Sequence, residues 1–370
     1  MRITAIRVYR IRIPFRPLGS RWVGRNRPPH LDSTVVALET DRQLTGYGES
    51  CPIGAVYLPA FARGLRACIG EMAPALLGQD PTDTGRIYAI MNRALSGHYY
   101  AKAAIDIACW DLLGKFTGLP ISHLLGGRFT REVPVYASIP LDTPEKMSET
   151  LELKRQDGFS RFQVKVGGHP VEDVNRVRRL LGSGMHAETF MVDANRGWSK
   201  ADALRILRAL GDADCYIEQP CETYRECLTV RRHCDHPVIL DEVLDTPGDL
   251  ARAIEDDALD GMVIKITHAG GITPARILRD LCAAHGIKMR LEDTAGTEFT
   301  RAAQAQLAAA TPLDQQLGSY TFFTPLPPVA HGAPEYRNGH LILNDEPGLG
   351  IVPDPSGLGD ALAVYGEGSG

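Results

Sequence analysis

The sequence has no Cys-x-x-Cys pair, although eight cysteines are scattered along it (51, 68, 109, 215, 221, 227, 234 and 282). No cysteine-based metal or redox motif is therefore available, and reduced, mostly buried thiols in a cytoplasmic protein are the expectation. No segment approaches the roughly 20 apolar residues of a transmembrane helix. The first residues, Met1 to Tyr9, alternate like a strand and lack the apolar stretch of a signal peptide. Basic residues are not in excess: 40 Lys and Arg stand against 45 Asp and Glu, a net charge of −5. Nothing in that balance argues for a nucleic-acid surface, and neither a nucleic-acid nor a membrane partner is expected. Low-complexity sequence is confined to the glycine-rich last residues.

A repeat stands out instead. Short apolar runs, each ending in a charged residue, recur every 23–28 positions through the middle of the chain. They end at Lys165 (Phe-Gln-Val-Lys), Asp193 (Phe-Met-Val-Asp), Glu218 (Cys-Tyr-Ile-Glu), Asp241 (Val-Ile-Leu-Asp) and Lys265 (Met-Val-Ile-Lys), and a sixth ends at Glu292/Asp293. The interval suits one strand, one helix and two loops. Repetition of that unit describes a (β/α)-barrel, in which polar residues at the C-terminal strand ends read as catalytic. Val133–Ser138 reads as the first barrel strand, and an eighth is expected near Leu317–Phe322. Helices are expected over Pro170–Leu181, Lys200–Gly211, Tyr224–His233, Pro247–Asp256, Thr273–His285 and Thr300–Ala310.

The 370 residues exceed the roughly 250 of a barrel alone, so a second domain is expected. Ile3 to Ile13, Asp32–Thr40 and Leu44–Glu49 read as antiparallel strands, with a long Gly/Pro/Arg-rich loop, Pro14–His30, between the first two. Residues 59–95 read as helical. Ala101 to Phe116 is a strong helix of small and apolar residues, stopped by Gly118-Leu119-Pro120 and placed at the junction of the domains. The tail, with a strand-like His340–Leu343, folds back onto the N-terminal domain. The boundaries expected are 1–125, 126–325 and 326–370.

Asp193, Glu218 and Asp241 end three successive strands. Neighbouring strands lie about 4.8 Å apart, so the three carboxylates can converge on one point. Without a cation they would repel; Mg²⁺ relieves that and takes oxygen ligands. Histidine is missing from the set, which argues against zinc, and no paired histidines stand at early strand ends as metal-dependent hydrolase barrels need. Lys165 and Lys265 fall on opposite sides of an eight-stranded barrel. Partly desolvated beside a cation, each would have a lowered pKa and could exchange a proton with one face of a substrate carbon.

Glu242 should point away from the barrel interior, and the spacing favours Asp241 as the ligand. Glu292 and Asp293 carry the same ambiguity; Asp293 would orient a substrate nitrogen or support Lys265. Asn195 would either bond a ligand or substrate, or shape the loop.

These residues resemble the enolase superfamily, specifically its muconate lactonizing enzyme and mandelate racemase-like branch. The matching stretches are Val164-Lys165-Val166-Gly167-Gly168, Val192-Asp193-Ala194-Asn195-Arg196-Gly197-Trp198, Ile217-Glu218-Gln219-Pro220, Leu240-Asp241-Glu242, Ile264-Lys265-Ile266 with Gly270-Gly271-Ile272, and Pro347-Gly348-Leu349-Gly350-Ile351. The resemblance covers essentially the whole chain. It implies an α/β fold: a modified (β/α)-barrel of the (β/α)7β TIM type, with an α+β capping domain from the two termini. It also implies Mg²⁺-assisted removal of a proton α to a carboxylate, through an enediolate, with Lys165 and Lys265 as acid and base for opposite faces.

One departure is Gln163, where many relatives have a second lysine. Within the branch, the nearest similarity is to hydroxyproline betaine and proline betaine epimerases and cis-3-hydroxy-L-proline dehydratases, carried by Gly48 to Tyr57, Gly97 to Lys102, and Phe162 to Lys165. Tyr57 in the capping loop, with Tyr320, Phe322 and Phe323 at the end of the eighth strand, offers aromatic faces for a quaternary ammonium; Trp22 in the long first loop could close over the site or pack on it. The substrate contacts expected are thus Tyr57, Gln163, Asn195, Asp293, Tyr320 and Trp22. The expectation is a Mg²⁺-dependent racemase or epimerase of an amino-acid-derived carboxylate, a proline betaine or hydroxyproline betaine. A dehydratase or a cycloisomerase on the same scaffold is the alternative, and a non-catalytic binding barrel the outside one. A homo-oligomer is expected, as for most soluble enzymes.

Overall fold

In the computed structural model, residues 1–14, 30–55, 57–185, 187–320 and 328–366 are described. Trp22, Phe322 and Phe323 lie outside the described residues, as does most of the loop expected between Pro14 and His30.

The alternating N-terminal run forms β1 (Ile3–Pro14), paired antiparallel with β2 (His30–Thr40), which pairs in turn with β3 (Thr45–Ser50). Helices α1 (Ala62–Leu76), α2 (Thr84–Ala94) and α3 (Tyr99–Thr117) follow. The last of these is apolar all round because it is buried on both sides. Ala101, Ala104, Ile105, Ala108 and Leu112 belong to the core of the capping unit, while Ile107 and Trp110 join the core of the barrel. Gly118, in the left-handed region at φ 70°, ends the helix by donating its N–H to the Gly114 carbonyl. The packing of β3 on α3 admits no side chain: a Cβ on Gly46 would come within 2.2 Å of the Ala108 oxygen, and one on Gly48 within 2.2 Å of the Ala104 oxygen.

Residues Ile121–Leu124 form a single turn, α4, before β4 (Glu132–Pro134). The barrel strands are β5 (Ala137–Ile139), β6 (Arg161–Lys165), β7 (Thr189–Asp193), β8 (Tyr216–Glu218), β9 (Val238–Leu240), β10 (Gly261–Lys265), β11 (Lys288–Glu292) and β12 (Gln316–Ser319). They pair in chain order and in parallel, and a bridge between Val135 and Ser319, with the Tyr136 N–H on the Ser319 carbonyl at 3.0 Å, joins the last strand to the first. The single first strand expected over Val133–Ser138 is two strands. Val135 donates its N–H to Gly339 of the tail, and β4 pairs with the tail strand His340–Ile342, so only the second half joins the barrel.

The intervening helices are α5 (Pro144–Gln156), α6 (Pro170–Leu181), α7 (Lys200–Leu210), α8 (Tyr224–Arg231), α9 (Pro247–Glu255), the short turn α10 (Ile266–Ala269), α11 (Ile272–Ala284) and α12 (Glu298–Ala309). Six agree with the sequence reading to within two residues; α5 and α10 were not anticipated. The tail serves both units: His340–Ile342 extends β4, and Ala363–Gly366 pairs with β1.

A buried carboxylate fastens the capping unit to the barrel. Glu49, in β3, accepts the N–H groups of Thr297 and Thr300 at 2.8 and 3.1 Å and their hydroxyls at 2.9 and 2.7 Å, together with the Ser33 hydroxyl. Thr297 is the N-cap of α12, so the charge lies where a helix N-terminus attracts it.

The Gly48–Ala104 approach makes a prediction. Gly48→Ala should lower stability by about 1–3 kcal/mol through overpacking. Gly85→Ala, inside α2 with open space around it, should raise stability by about 0.5–1 kcal/mol. Equal melting temperatures for the two variants in scanning calorimetry would contradict the close contact.

Candidate active site

Parallel pairing sets the functional side chains in register. Lys165 pairs with Asp193, Asp193 with Glu218, and Lys265 with Glu292. Strand alternation puts Gln163 on the same inward face as Lys165, and Arg290 on the same face as Glu292. At one side of the barrel mouth, the Lys165 ammonium lies 2.5 Å from Asp193 and 2.9 Å from the Asn195 side-chain oxygen. The Gln163 amide nitrogen bridges two carboxylates, Asp193 at 2.8 Å and Glu218 at 3.2 and 3.3 Å. At the other side, Lys265 donates to Asp241 and lies 3.6 Å from Glu292. Between them is Arg290, fully buried, donating to both oxygens of Glu218 and, at 2.8 Å through Nε, to Glu292. The Tyr136 hydroxyl also donates to Glu292, and the Arg290 guanidinium lies 4.8 Å from the centre of its ring.

The structure thus brings together Lys165, Gln163, Asp193, Asn195, Glu218, Asp241 and Lys265. It also corrects the reading of Glu242. Strand β9 ends at Leu240, so alternation stops there, and both Asp241 and Glu242 turn toward the site. Glu242 is buried; one oxygen accepts from Asn195 at 3.2 Å and the other has no hydrogen-bond partner. Asn195 is in the left-handed region at φ 42°, with its N–H on Asp193 at 2.7 Å, so it shapes the turn and contacts the acidic cluster at once. Of the pair at the end of β11, Glu292 faces inward. Asp293 accepts the N–H groups of Thr267 and Thr294 at 3.0 and 2.7 Å and the Thr267 hydroxyl, so it anchors the turn after Lys265.

The aromatic residues are divided. Tyr57 is buried, with its ring 5.9 Å from the Lys265 ammonium and 5.8 Å from the Arg196 guanidinium. Tyr320 stacks on Tyr136 at 5.2 Å. Among the described residues, no ring contact joins Tyr57 to Tyr320. Arg290, Tyr136, Glu242 and Gln219, which accepts the Asp241 N–H at 2.9 Å, were not identified as site residues from sequence. For Arg290 the signal was incomplete: alternation puts it on the face of Glu292, but the sequence left open which of Glu292 and Asp293 faces inward.

Electrostatics follow from this crowding. Burial, opposed by Arg290 and reinforced by Asp193, pushes Glu218 up to about 8. Burial and the Asp241 charge push Glu242 up to about 7. Burial also raises Asp241, against the pull of Lys265. The lowered lysine pKa expected from sequence is for a site that holds a cation; the protein's own groups act the other way at Lys265. Burial acts downward there, but Asp241, Glu292 and Glu242 outweigh it and hold the ammonium above its usual value.

Among the described residues, no three acidic, histidine or cysteine side chains are gathered around a common point. The carboxylates are apportioned among protein donors instead. Their chemistry nonetheless fits a hard divalent cation: oxygen donors only, from adjacent strand ends, with a buried Glu242 oxygen unbonded. The buried carboxylates Asp193, Glu218, Asp241, Glu242, Glu292 and Asp293 outnumber Lys165, Lys265, Arg196 and Arg290, an imbalance that favours a bound cation.

Arg290→Met should leave Glu218 and Glu292 buried without their guanidinium, at a cost of about 3–5 kcal/mol. Urea unfolding in the presence of chelator measures this, and a loss below about 1 kcal/mol would contradict the pairing.

Comparisons with known proteins identify the family and the fold. Residues 146–357 match the enolase C-terminal domain-like family, and residues 30–126 match the mandelate racemase/muconate lactonizing enzyme N-terminal domain. A cis-3-hydroxy-L-proline dehydratase of Roseibium aggregatum is 44% identical over 366 residues, 99% of this chain and 100% of the relative. An N-succinyl-L-Arg/Lys racemase of Bacillus cereus is 31% identical over 359 residues, 95% of each. Among solved structures, an enolase superfamily member from Roseovarius nubinhibens ISM, complexed with magnesium, superposes with a TM-score of 0.94 at 36% identity, covering 99% of this chain and 100% of that one. No described helix is long and apolar enough to cross a membrane. With its TIM-barrel fold, its capping sheet and both domain matches, the chain is an enzyme of the enolase superfamily, in the mandelate racemase/muconate lactonizing enzyme group.

Proposed function

We propose that this enzyme removes the α-proton of a proline-derived carboxylate, and that its reaction is dehydration of a cis-3-hydroxyproline-type substrate. The observation that carries this reading is the pair of amines at the ends of β6 and β10, four strands apart in a closed ring of eight and therefore opposite one another.

In cis-3-hydroxy-L-proline the carboxylate and hydroxyl share one ring face, so the α-hydrogen is on the other. Loss of the α-proton and the hydroxyl is then an anti elimination. One lysine, as the free amine, takes the proton from C2. The opposite lysine, as the ammonium, gives a proton to the departing hydroxyl, and water leaves. The electron pair of the C2–H bond becomes the C2–C3 double bond, through an enediolate. Support for this direction comes from the full-length similarity to a dehydratase of that substrate.

Asp193, Glu218 and Asp241 would hold Mg²⁺, which when bound supplies electrostatic stabilisation to a carboxylate gaining charge. Neutralisation of Asp241 would loosen the pairing that holds Lys265 protonated. Arg290 keeps Glu218 in place whatever the state of the lysines, and Glu292 tethers Arg290 beside Lys265.

The second reading is 1,1-proton transfer, an epimerisation of the same α-carbon. It uses the same opposed lysines and is favoured by the racemase relative. A proline betaine as its substrate would need aromatic faces around a quaternary ammonium, and the Tyr57 ring already lies near two protein cations.

The test is incubation of the Mg²⁺-loaded protein with cis- and trans-3-hydroxy-L-proline. Mass spectrometry should find loss of one water from the cis isomer only. Chelation should abolish the reaction and added Mg²⁺ restore it. Lys165→Ala and Lys265→Ala should each lower the rate by about 10²–10⁴-fold. An inverted α-carbon without water loss would select epimerisation. Wild-type rates in both lysine variants would remove the reading.

A further inference from the structure

Three residues beyond Lys265, in α10, is a side chain that nothing above has used. His268 is 6% exposed, and its Nε2 is buried with no hydrogen-bond partner. Its ring is packed against two tyrosines of the capping unit, Tyr57 at 6.0 Å and Tyr100 at 5.2 Å between centroids. Its other nitrogen, Nδ1, lies 3.8 Å from the Asp245 carboxylate in the loop after β9. That carboxylate favours the imidazole proton on Nδ1 and leaves Nε2 as an acceptor. Burial, with the Lys265 charge adding to it, holds the imidazole pKa well below its usual value, so the ring carries no charge at neutral pH.

A buried acceptor without a partner is uncommon in a folded protein, and beside a catalytic site a ligand is its natural complement. Of the groups on a proline α-carbon, the carboxylate can only accept, and the hydrogen is the one removed. The ring nitrogen remains: in the free amino acid it is a secondary ammonium with two hydrogens to donate, and in a betaine it has none. We infer that His268 is a specificity residue whose Nε2 accepts an N–H of the substrate ring nitrogen, so that the site takes a free cyclic amino acid in preference to its N,N-dimethyl betaine. This assignment rests on the α-proton reading above and narrows its substrate class.

Binding separates the two. Titration calorimetry of Mg²⁺-loaded wild type, His268→Phe and His268→Gln would use L-proline and N,N-dimethyl-L-proline, neither of which carries a leaving group. Wild type should bind L-proline more tightly than the dimethyl form. His268→Phe keeps a ring between Tyr57 and Tyr100 but has no acceptor. It should weaken L-proline, relative to the dimethyl form, by about tenfold or more. His268→Gln, whose amide oxygen can accept, should recover much of that ratio. Equal L-proline affinity in wild type and His268→Phe, a wild-type preference for the dimethyl form, or no wild-type binding of L-proline would each overturn the inference. Failure of cis-3-hydroxy-L-proline to react, with the binding pattern intact, would overturn the dehydration reading and uphold the role of His268.

Discussion

The mouth of this barrel encloses more negative charge than its own cations balance, and most of the local structure can be understood as the management of that excess. Asp193, Glu218, Asp241, Glu242 and Glu292 are buried within a few strand spacings of each other. Burial raises a carboxylate pKa, and each neighbouring charge adds to the rise. Every one of the five accepts a hydrogen bond from a lysine, an arginine, a tyrosine or an amide. Arg290 joins Glu218 to Glu292 in the middle of the cluster and is itself fully buried. A set held this way has its charge positioned before any substrate arrives, which is the condition for electrostatic stabilisation by preorganised groups.

Two features keep the cluster enclosed. Helix α3 divides its apolar surface between the cores of the capping unit and the barrel, so neither can shift without exposing it. Glu49 then pins β3 to the N-terminus of α12 with hydrogen bonds from two threonines. The capping loop that carries Tyr57 follows directly after β3, so this anchorage fixes its base on the barrel, and the Tyr57 ring lies 5.9 Å from the Lys265 ammonium. Capping unit and barrel therefore build one site between them: the barrel supplies the charges and the capping unit the roof.

Much of this was legible in the sequence, for physical reasons that differ by element. The barrel strands were legible because a parallel strand buried on both faces is a short continuous apolar run, and the charged residue that ends it marks the mouth. Lys165, Asp193, Glu218 and Lys265 are the last residues of their strands, as the spacing required. Legibility failed where regular alternation stops. Glu242 was assigned to the outside because β9 was read one residue too far. The first strand was read as one because the pairing of its first half with a distant tail segment has no local signal. Helix α5 carried a readable start, Thr143-Pro144-Glu145, with the Thr143 side chain accepting from the Lys146 N–H, and was passed over. Arg290 and His268 were beyond sequence reading in another sense. Both are visible in the chain, but their importance comes from what surrounds them, two buried carboxylates and a tyrosine ring for the one and two tyrosines for the other.

On the proposed function, this cluster serves to take a proton from the α-carbon of a ring carboxylate. The most direct measurement is proton NMR in D₂O of proline, its hydroxylated forms and their N-methylated betaines, each in both configurations, with the Mg²⁺-loaded protein. The α-proton signal of at least one free cyclic amino acid should be lost, and exchange should stop when Mg²⁺ is removed. Retention of every α-proton across the panel would contradict that function.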